Sequence, residues 1–265
     1  MKNITTNLMN GDCLELMLSI SDNSVDLILC DLPYGTTPLE WDKEISLDEL
    51  WTQYKRILRE SGTIVLFGQE PFSSYLRMSN IEMYKYDWYW EKERLTNIFQ
   101  VKRRPGKTVE TISVFFSSQG TYNPQKQTHL GKPVGNKIGE NARFSITQTG
   151  KSNIKPLEYK DDGTRYPTQV LKFNRENLRT LLHPTQKPVE LLEYLIKTYT
   201  NEGDLVLDNC MGSGSTGVAC VNTNRNFIGI ELDENYFNIA KERIENANAR
   251  LEEYTEKLEG KYESI

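Results

Sequence analysis

Two stretches of this chain carry residue types able to do chemistry on a flat, polar ligand. In Asp204 to Glu231, DLVLDNCMGSGSTGVACVNTNRNFIGIE, the apolar Leu205-Val206-Leu207 predicts a buried strand ending at Asp208. Gly212, Gly214 and Gly217 follow at G-x-G-x-x-G spacing, and then a helix-compatible VACV. A second strand, Phe227 to Ile230, delivers Glu231 nineteen positions after Gly212. Strand, glycine turn, helix, strand and acid are the parts of a nucleotide-binding βαβ unit. The glycines let the backbone approach a ligand closely, and Glu231 can accept hydrogen bonds from ribose hydroxyls. Glycine-rich turns also simply turn chains, but the flanking strands and the terminal acid favour a nucleoside ligand. No Lys follows the glycines, which excludes a P-loop.

The second stretch is Asp31-Leu32-Pro33-Tyr34-Gly35, directly after the near-continuous apolar strand Val25 to Cys30. Ligands of open α/β sheets sit beyond the carboxyl ends of strands. A carboxylate and a backbone carbonyl there can accept hydrogen bonds from an amino group, while Tyr34 stacks on a flat ring. Taken alone, the same five residues also make an ordinary strand-ending turn.

Both stretches need a sheet to hold them. Ile4 to Met9 predicts an N-terminal strand ending at Asn10-Gly11-Asp12, followed by a short helix over Leu14 to Ile20. Leu50, Trp51, Tyr54, Ile57 and Leu58 share one face of a helix over Leu47 to Arg59, stopped by Ser61-Gly62. Thr63 to Phe67 is a third buried strand, with others expected around Tyr86 to Trp90 and Thr111 to Phe116. Leu191, Leu192, Leu195 and Ile196 line a helix over Pro188 to Thr200. Strands alternating with helices imply an α/β fold: a Rossmann-like mixed, mainly parallel sheet with helices on both faces. The pattern fails between Ser117 and Leu182, a polar run too long for a loop in a compact domain. Residues 1–116 and 183–265 are therefore expected to build one domain, with 117–182 inserted between its halves.

At 265 residues the chain can bury one sizeable core. No apolar run approaches a membrane span, and the N-terminal MKNITTNLMNGD lacks a signal-peptide core, so a cytoplasmic protein is expected. Cys13, Cys30, Cys210 and Cys220 lie in apolar segments without C-x-x-C spacing, as buried free thiols do in a reducing compartment. With only His129 and His183, no metal site is expected. The net charge of −5 conceals an asymmetry. Gly120 to Leu182 holds eleven Lys/Arg against five acids, and Glu231 to the end holds ten acids against five bases. An acidic tail thus masks a basic region suited to nucleic acid. The run Lys102-Arg103-Arg104-Pro105-Gly106-Lys107 puts four cations in six residues on a connection near the expected cleft. It suits phosphate contact, or else is an ordinary solvated loop. Tyr122, Phe144, Tyr159, Tyr166 and Phe173 punctuate the insert, as core of a small lobe or as wedges between bases.

DLPYG resembles the Asp-Pro-Pro-Tyr catalytic motif of amino-group DNA methyltransferases, and DNCMGSGS their S-adenosylmethionine motif, Asp-Pro-Phe-x-Gly-Ser-Gly-Thr. His183-Pro184-Thr185-Gln186-Lys187-Pro188 matches the segment that precedes the cofactor motif in that family. The catalytic motif comes first and a variable region lies between, which is the order of the β group. The chain departs at Leu32, for a proline, and at Asn209-Cys210, for Pro-Phe. The resemblance implies that Asp208, Gly212, Gly214 and Ser215 line the methionine part of S-adenosylmethionine, that Glu231 binds its ribose, and that Asp12 and Cys13 flank its adenine. It implies Thr185 and Lys187 near the cofactor carboxylate, at a helix start that favours an anion, although Lys187 also suits a surface cation. His183 is then structural.

The catalytic set it implies is Asp31, Leu32, Pro33 and Tyr34. Asp31 and the Leu32 carbonyl would accept the two N–H groups of an adenine amine, favouring a pyramidal nitrogen, and transfer would gain from positioning and preorganised charge. The substrate would be double-stranded DNA with the target base flipped out and Tyr34 stacked on it. Lys102, Arg103, Arg104 and Lys107 would hold phosphates, and the insert would read the sequence. Asp at the start of the motif favours adenine N6, because cytosine-N4 enzymes usually begin with Ser. Cytosine N4 remains the alternative within the class, and a nicotinamide-dependent oxidoreductase the alternative outside it. Phe237, Ala240, Ile244, Ala247, Leu251, Tyr254 and Leu258 form a heptad seam whose far half could meet another chain, so a homodimer is expected.

Overall fold

The computed structural model describes residues 4–34, 45–128, 163–175 and 186–262, and backbone alone for 254–262. His183, Thr185, Gly35, Phe144 and Tyr159 lie outside the described residues. The chain divides into a larger unit, residues 1–123 with 169–265, and a smaller unit, 124–168, inside the stretch set apart by composition.

The first half of the larger unit follows the apolar pattern. Strand β1 (Thr6–Asn10) leads to helix α1 (Cys13–Met17), and β2 (Val25–Cys30) to α2 (Leu47–Ile57). Helix α2 opens on Ser46, whose hydroxyl accepts the Glu49 amide, with Asp48 and Glu49 in its first turn and Lys55 and Arg56 in its last. It ends at Ile57, before Ser61-Gly62, because Leu58 already starts β3 (Leu58–Gly68) beside Val25. Helix α3 (Phe72–Ser79), β4 (Tyr84–Glu91) and β5 (Val109–Phe115) complete this half. In the smaller unit, β6 (Gln127–Thr128) pairs antiparallel with β7 (Thr164–Arg165). Strand β8 (Val170–Lys172) returns to the larger unit, followed by α4 (Val189–Tyr199), β9 (Leu205–Asp208), α5 (Ser215–Asn222), β10 (Asn226–Glu231) and α6 (Glu234–Tyr262).

Eight strands form one sheet in the order β1-β10-β9-β2-β3-β5-β4-β8. Pairing is parallel throughout except where β5 runs against β3 and β4. Side chains alternate between two cores, as the pleat requires. Leu27, Leu29, Val65 and Phe67 face one way, onto α4, α5 and α6 through residues such as Leu195, Ala219 and Ile244. Ile28, Cys30, Ile64 and Leu66 face the other, onto α1, α2 and α3 through Met17, Tyr54 and Leu76. This is the expected mixed, mainly parallel α/β sheet with both faces covered. In the seam of α6, Ala240, Ile244 and Ala247 are buried in the first core, and Phe237 and Leu251 pack against it. No helix among the described residues is long and apolar enough to cross a membrane.

Candidate active site

The parallel pairing of β2 with β9, Leu27 to Val206 and Ile28 to Leu207, decides what meets what. Asp31 and the glycine turn leave the carboxyl ends of neighbouring strands, although 177 positions separate Asp31 from Asp208 in sequence. That edge is where a doubly wound sheet offers a crevice.

On the glycine side, the carboxylates shape the backbone. Asp208 is buried; its Oδ1 accepts the Cys210 amide at 3.1 Å and its Oδ2 the Thr216 hydroxyl at 2.6 Å. Burial raises its pKa to about 6. Glu231 accepts the Gly212 amide at 2.8 Å and the Asp233 amide at 2.9 Å, one on each oxygen. Burial raises its pKa too. Gly214 opens α5 with a φ of 79°, and a Cβ there would lie 2.8 Å from Ala240 Cβ, so this glycine serves the packing of α5 on α6. Arg243 of α6 reaches back to the Ser213 and Ser215 hydroxyls, at 3.0 and 3.2 Å. Asp12 caps α1 by accepting the Leu14 and Glu15 amides. Cys13 beside it is buried, with Asn209 Nδ2 3.6 Å from its sulfur. Asn209, where the family motif has proline, also accepts the Tyr54 hydroxyl at 2.5 Å and so ties the turn to α2.

On the other side, side chains hold side chains. Tyr34 donates its hydroxyl to Asp31 Oδ1 at 2.5 Å, and its ring lies 4.9 Å from that of Phe72. Leu32 is buried, whereas Asp31, Pro33 and Tyr34 remain partly exposed. Lys187 donates its ammonium to Asp31 Oδ2 and sits 3.7 Å from Glu110 Oε2, over the Phe67 ring. Glu110 in turn pairs with Lys92 and accepts Gln69 Nε2 at 3.1 Å. The charges alternate along Lys92, Glu110, Lys187 and Asp31. Burial lowers the Lys187 pKa, but Asp31 and then Glu110 raise it further, leaving it above its ordinary value. Burial raises that of Glu110, but Lys187 and then Lys92 outweigh it, leaving it low. The Glu110 Oε2 atom is buried without a hydrogen bond, so Lys187 has a second carboxylate oxygen close by.

Among the described residues, Asp31 to Tyr34 and the glycine turn thus form two groups at the carboxyl ends of neighbouring strands, and Lys187 pairs with the first. The Lys187 ammonium, expected near a cofactor carboxylate or as a surface cation, is buried between the Asp31 and Glu110 carboxylates and so is not a surface cation. Glu110, Lys92 and Gln69 were not anticipated. The available signal was a Glu inside the apolar strand VETISVF, since an acid among buried residues needs a partner. Lys102, Arg103 and Arg104 are exposed and Lys107 is half-buried, on the connection between β4 and β5.

A mainly parallel sheet with two groups of polar residues at the carboxyl ends of β2 and β9 is the architecture of a nucleoside-binding α/β domain. A family model described as "DNA methylase" matches residues 25–242, and the chain belongs to that N6/N4 DNA methyltransferase family. It is 50% identical to the type II methyltransferase M2.DpnII of Streptococcus pneumoniae, over 91% of this chain and 90% of that one. The crystal structure of an M1.HpyAVI–SAM complex superposes with a TM-score of 0.60 at 28% identity, covering 90% of this chain and 100% of that one. The PvuII DNA methyltransferase, cytosine-N4-specific, shares the fold with a TM-score of 0.64 at 17% identity, covering 94% and 93%. Family membership displaces the nicotinamide oxidoreductase alternative.

Proposed function

We propose that this chain transfers a methyl group from S-adenosylmethionine to the N6 amine of an adenine flipped out of double-stranded DNA at a specific sequence. The observation that carries this reading is the β2–β9 pairing, which puts Asp31 beside the glycine turn. The turn fits the cofactor chemically. Each Glu231 oxygen uses one lone pair on a backbone amide, leaving acceptor capacity for ribose hydroxyls. Asp208, Gly212, Gly214 and Ser215 would hold the methionine part, and Asp12 and Cys13 the adenine. Bound there, S-adenosylmethionine supplies an electrophilic methyl group on a sulfonium.

The rest falls to the chain's own residues. An adenine amine is a poor nucleophile because its lone pair is delocalised into the ring. Asp31 and the Leu32 carbonyl accept its two N–H groups and orient the nitrogen, and Asp31 offsets the positive charge that develops on it. Lys187 fixes the Asp31 carboxylate from behind, and Tyr34 supplies the stacking face. Asp31, where cytosine-N4 enzymes usually carry Ser, supports adenine over cytosine. The basic insert selects the sequence, and Lys102, Arg103, Arg104 and Lys107 meet phosphates. The reading includes a cytoplasmic homodimer, as part of a restriction–modification pair or alone. Digesting the methylated DNA to nucleosides and weighing them tests the target. The expected product is N6-methyladenine; N4-methylcytosine in its place would overturn the assignment.

A further inference from the structure

The connection between β4 and β5 is braced, and it carries the most exposed large apolar side chain described. Phe99 is 99% exposed, with Ile98 at 62%, Val101 at 43% and Leu95 at 42%. Scattered single apolar residues are normal on a surface, but four within seven positions are not. They occupy a well-built arm. The Thr96 amide donates to the Lys107 carbonyl at 3.0 Å, the Lys107 amide to Asn97 Oδ1 at 2.6 Å, and Asn97 Nδ2 to the Pro105 carbonyl at 3.0 Å. Phe99 lies in a single 3-10 turn at Ile98–Gln100, closed by the Gln100 amide on the Asn97 carbonyl. The backbone thus holds an unsheltered phenyl ring on a stable support.

The surroundings identify the partner. Arg94, Lys102, Arg103, Arg104 and Lys107 lie on either side of Phe99 in the same connection, and no acid occurs from Arg94 to Lys107. Such a surface suits a polyanion that also offers an apolar slot, which is a base step of duplex DNA. The root of the arm adjoins the catalytic group. Lys92 donates its amide to the Thr108 carbonyl and its ammonium to Glu110, which neighbours Lys187 and hence Asp31. Phe99 is seven residues beyond Lys92, within roughly 23 Å at full extension.

We propose that Phe99 is the wedge that enters the base stack and fills the place a flipped target leaves. This rests on the methyl-transfer reading above, and deepens it by assigning the residue that compensates for unstacking. The cost of extrusion is lowest for a base that is already unpaired. The test therefore uses two duplexes carrying the site mapped by sequencing plasmid DNA from an expressing host. One is fully paired and the other has an abasic position opposite the target adenine. Single-turnover methylation by Phe99→Ala should fall roughly 10-fold or more on the paired duplex and change little on the abasic one. Phe99→Trp should retain activity on both. Equal losses on the two duplexes, or no loss on the paired one, would overturn the wedge. A changed sedimentation mass for Phe99→Ala would also overturn it, by giving the ring to a second copy of the chain. Full wild-type turnover on both duplexes separates these outcomes from failure of the methyl-transfer reading, which would show as no product on either.

Discussion

The two sides of the crevice hold their carboxylates in different ways. Asp208 and Glu231 accept backbone amides of Cys210, Gly212 and Asp233, and Asp208 also accepts the Thr216 hydroxyl and the Cys30 thiol. Asp31 and Glu110 are held by Lys187, Lys92, Tyr34 and Gln69, all side chains. A backbone amide keeps its place in the chain, so the glycine turn is set before any ligand arrives. An ammonium on a four-carbon stem can move, and Lys187 has the unbonded Glu110 Oε2 within 3.7 Å. The turn is a fixed mould, while the Asp31 carboxylate is held by a partner that can shift.

The strongest test of that contrast is Lys187→Met, which leaves two carboxylates facing each other without their shared cation. Breaking a buried pair costs about 3–5 kcal/mol, so urea unfolding should show a loss of that size. A loss below about 1 kcal/mol would mean that the pair is solvated like a surface one.

Asp208 provides the matching test on the fixed side, through pH. Burial raises its pKa from 3.8 to about 6. Between those values the folded protein keeps a proton that the unfolded chain has released. The contribution to stability is therefore full below about pH 4 and is lost as pH rises to about 6, by about 3 kcal/mol over the window. Asp208→Asn should flatten that slope in unfolding curves recorded from pH 4 to 7. An unchanged difference between the two proteins across the window would contradict the burial argument.

Tyr34 gives the smallest effects and separates its two roles. Tyr34→Ala should cost about 1–3 kcal/mol in methyl transfer through lost stacking on the base. Tyr34→Phe keeps the ring and removes only the hydrogen bond to Asp31, about 0.5–1.5 kcal/mol. Equal losses in single-turnover assays would place all of the effect in the hydroxyl.

The same contrast explains what the sequence disclosed. Asp208 and Thr216 are eight positions apart and Gly212 and Glu231 nineteen, so the turn lies in one readable stretch with its strands. The near-continuous apolar runs of β2 and β3, in strands that alternate with helices, likewise announced a sheet covered on both faces. Lys187 meets Asp31 across 156 positions, and Glu110 meets Lys92 only because β4 and β5 pair. Spacing cannot signal such contacts, so neither the Lys187–Asp31 pair nor the Lys92–Glu110 pair is legible in the sequence. Helix α3 is short, its N-cap Pro71 offers no side-chain acceptor, and the Ser74 amide of its first turn is accepted by Glu70, one position before the usual cap, so the common start signal is missing from the sequence. The end of α2 came earlier than Ser61-Gly62 because pairing of Leu58 with Val25 outweighed local helix preference.

Asp31 joins the two sides, and the rate of methyl transfer by Asp31→Ala under single-turnover conditions, with S-adenosylmethionine saturating, tests the account most directly. If Asp31 orients the amine and offsets its developing charge, the rate should fall by roughly 10²-fold or more. The glycine turn does not depend on Asp31, so saturation should occur at an unchanged cofactor concentration. A rate within about twofold of the wild-type value would show that no preorganised contact had been lost, and would contradict the role assigned to Asp31.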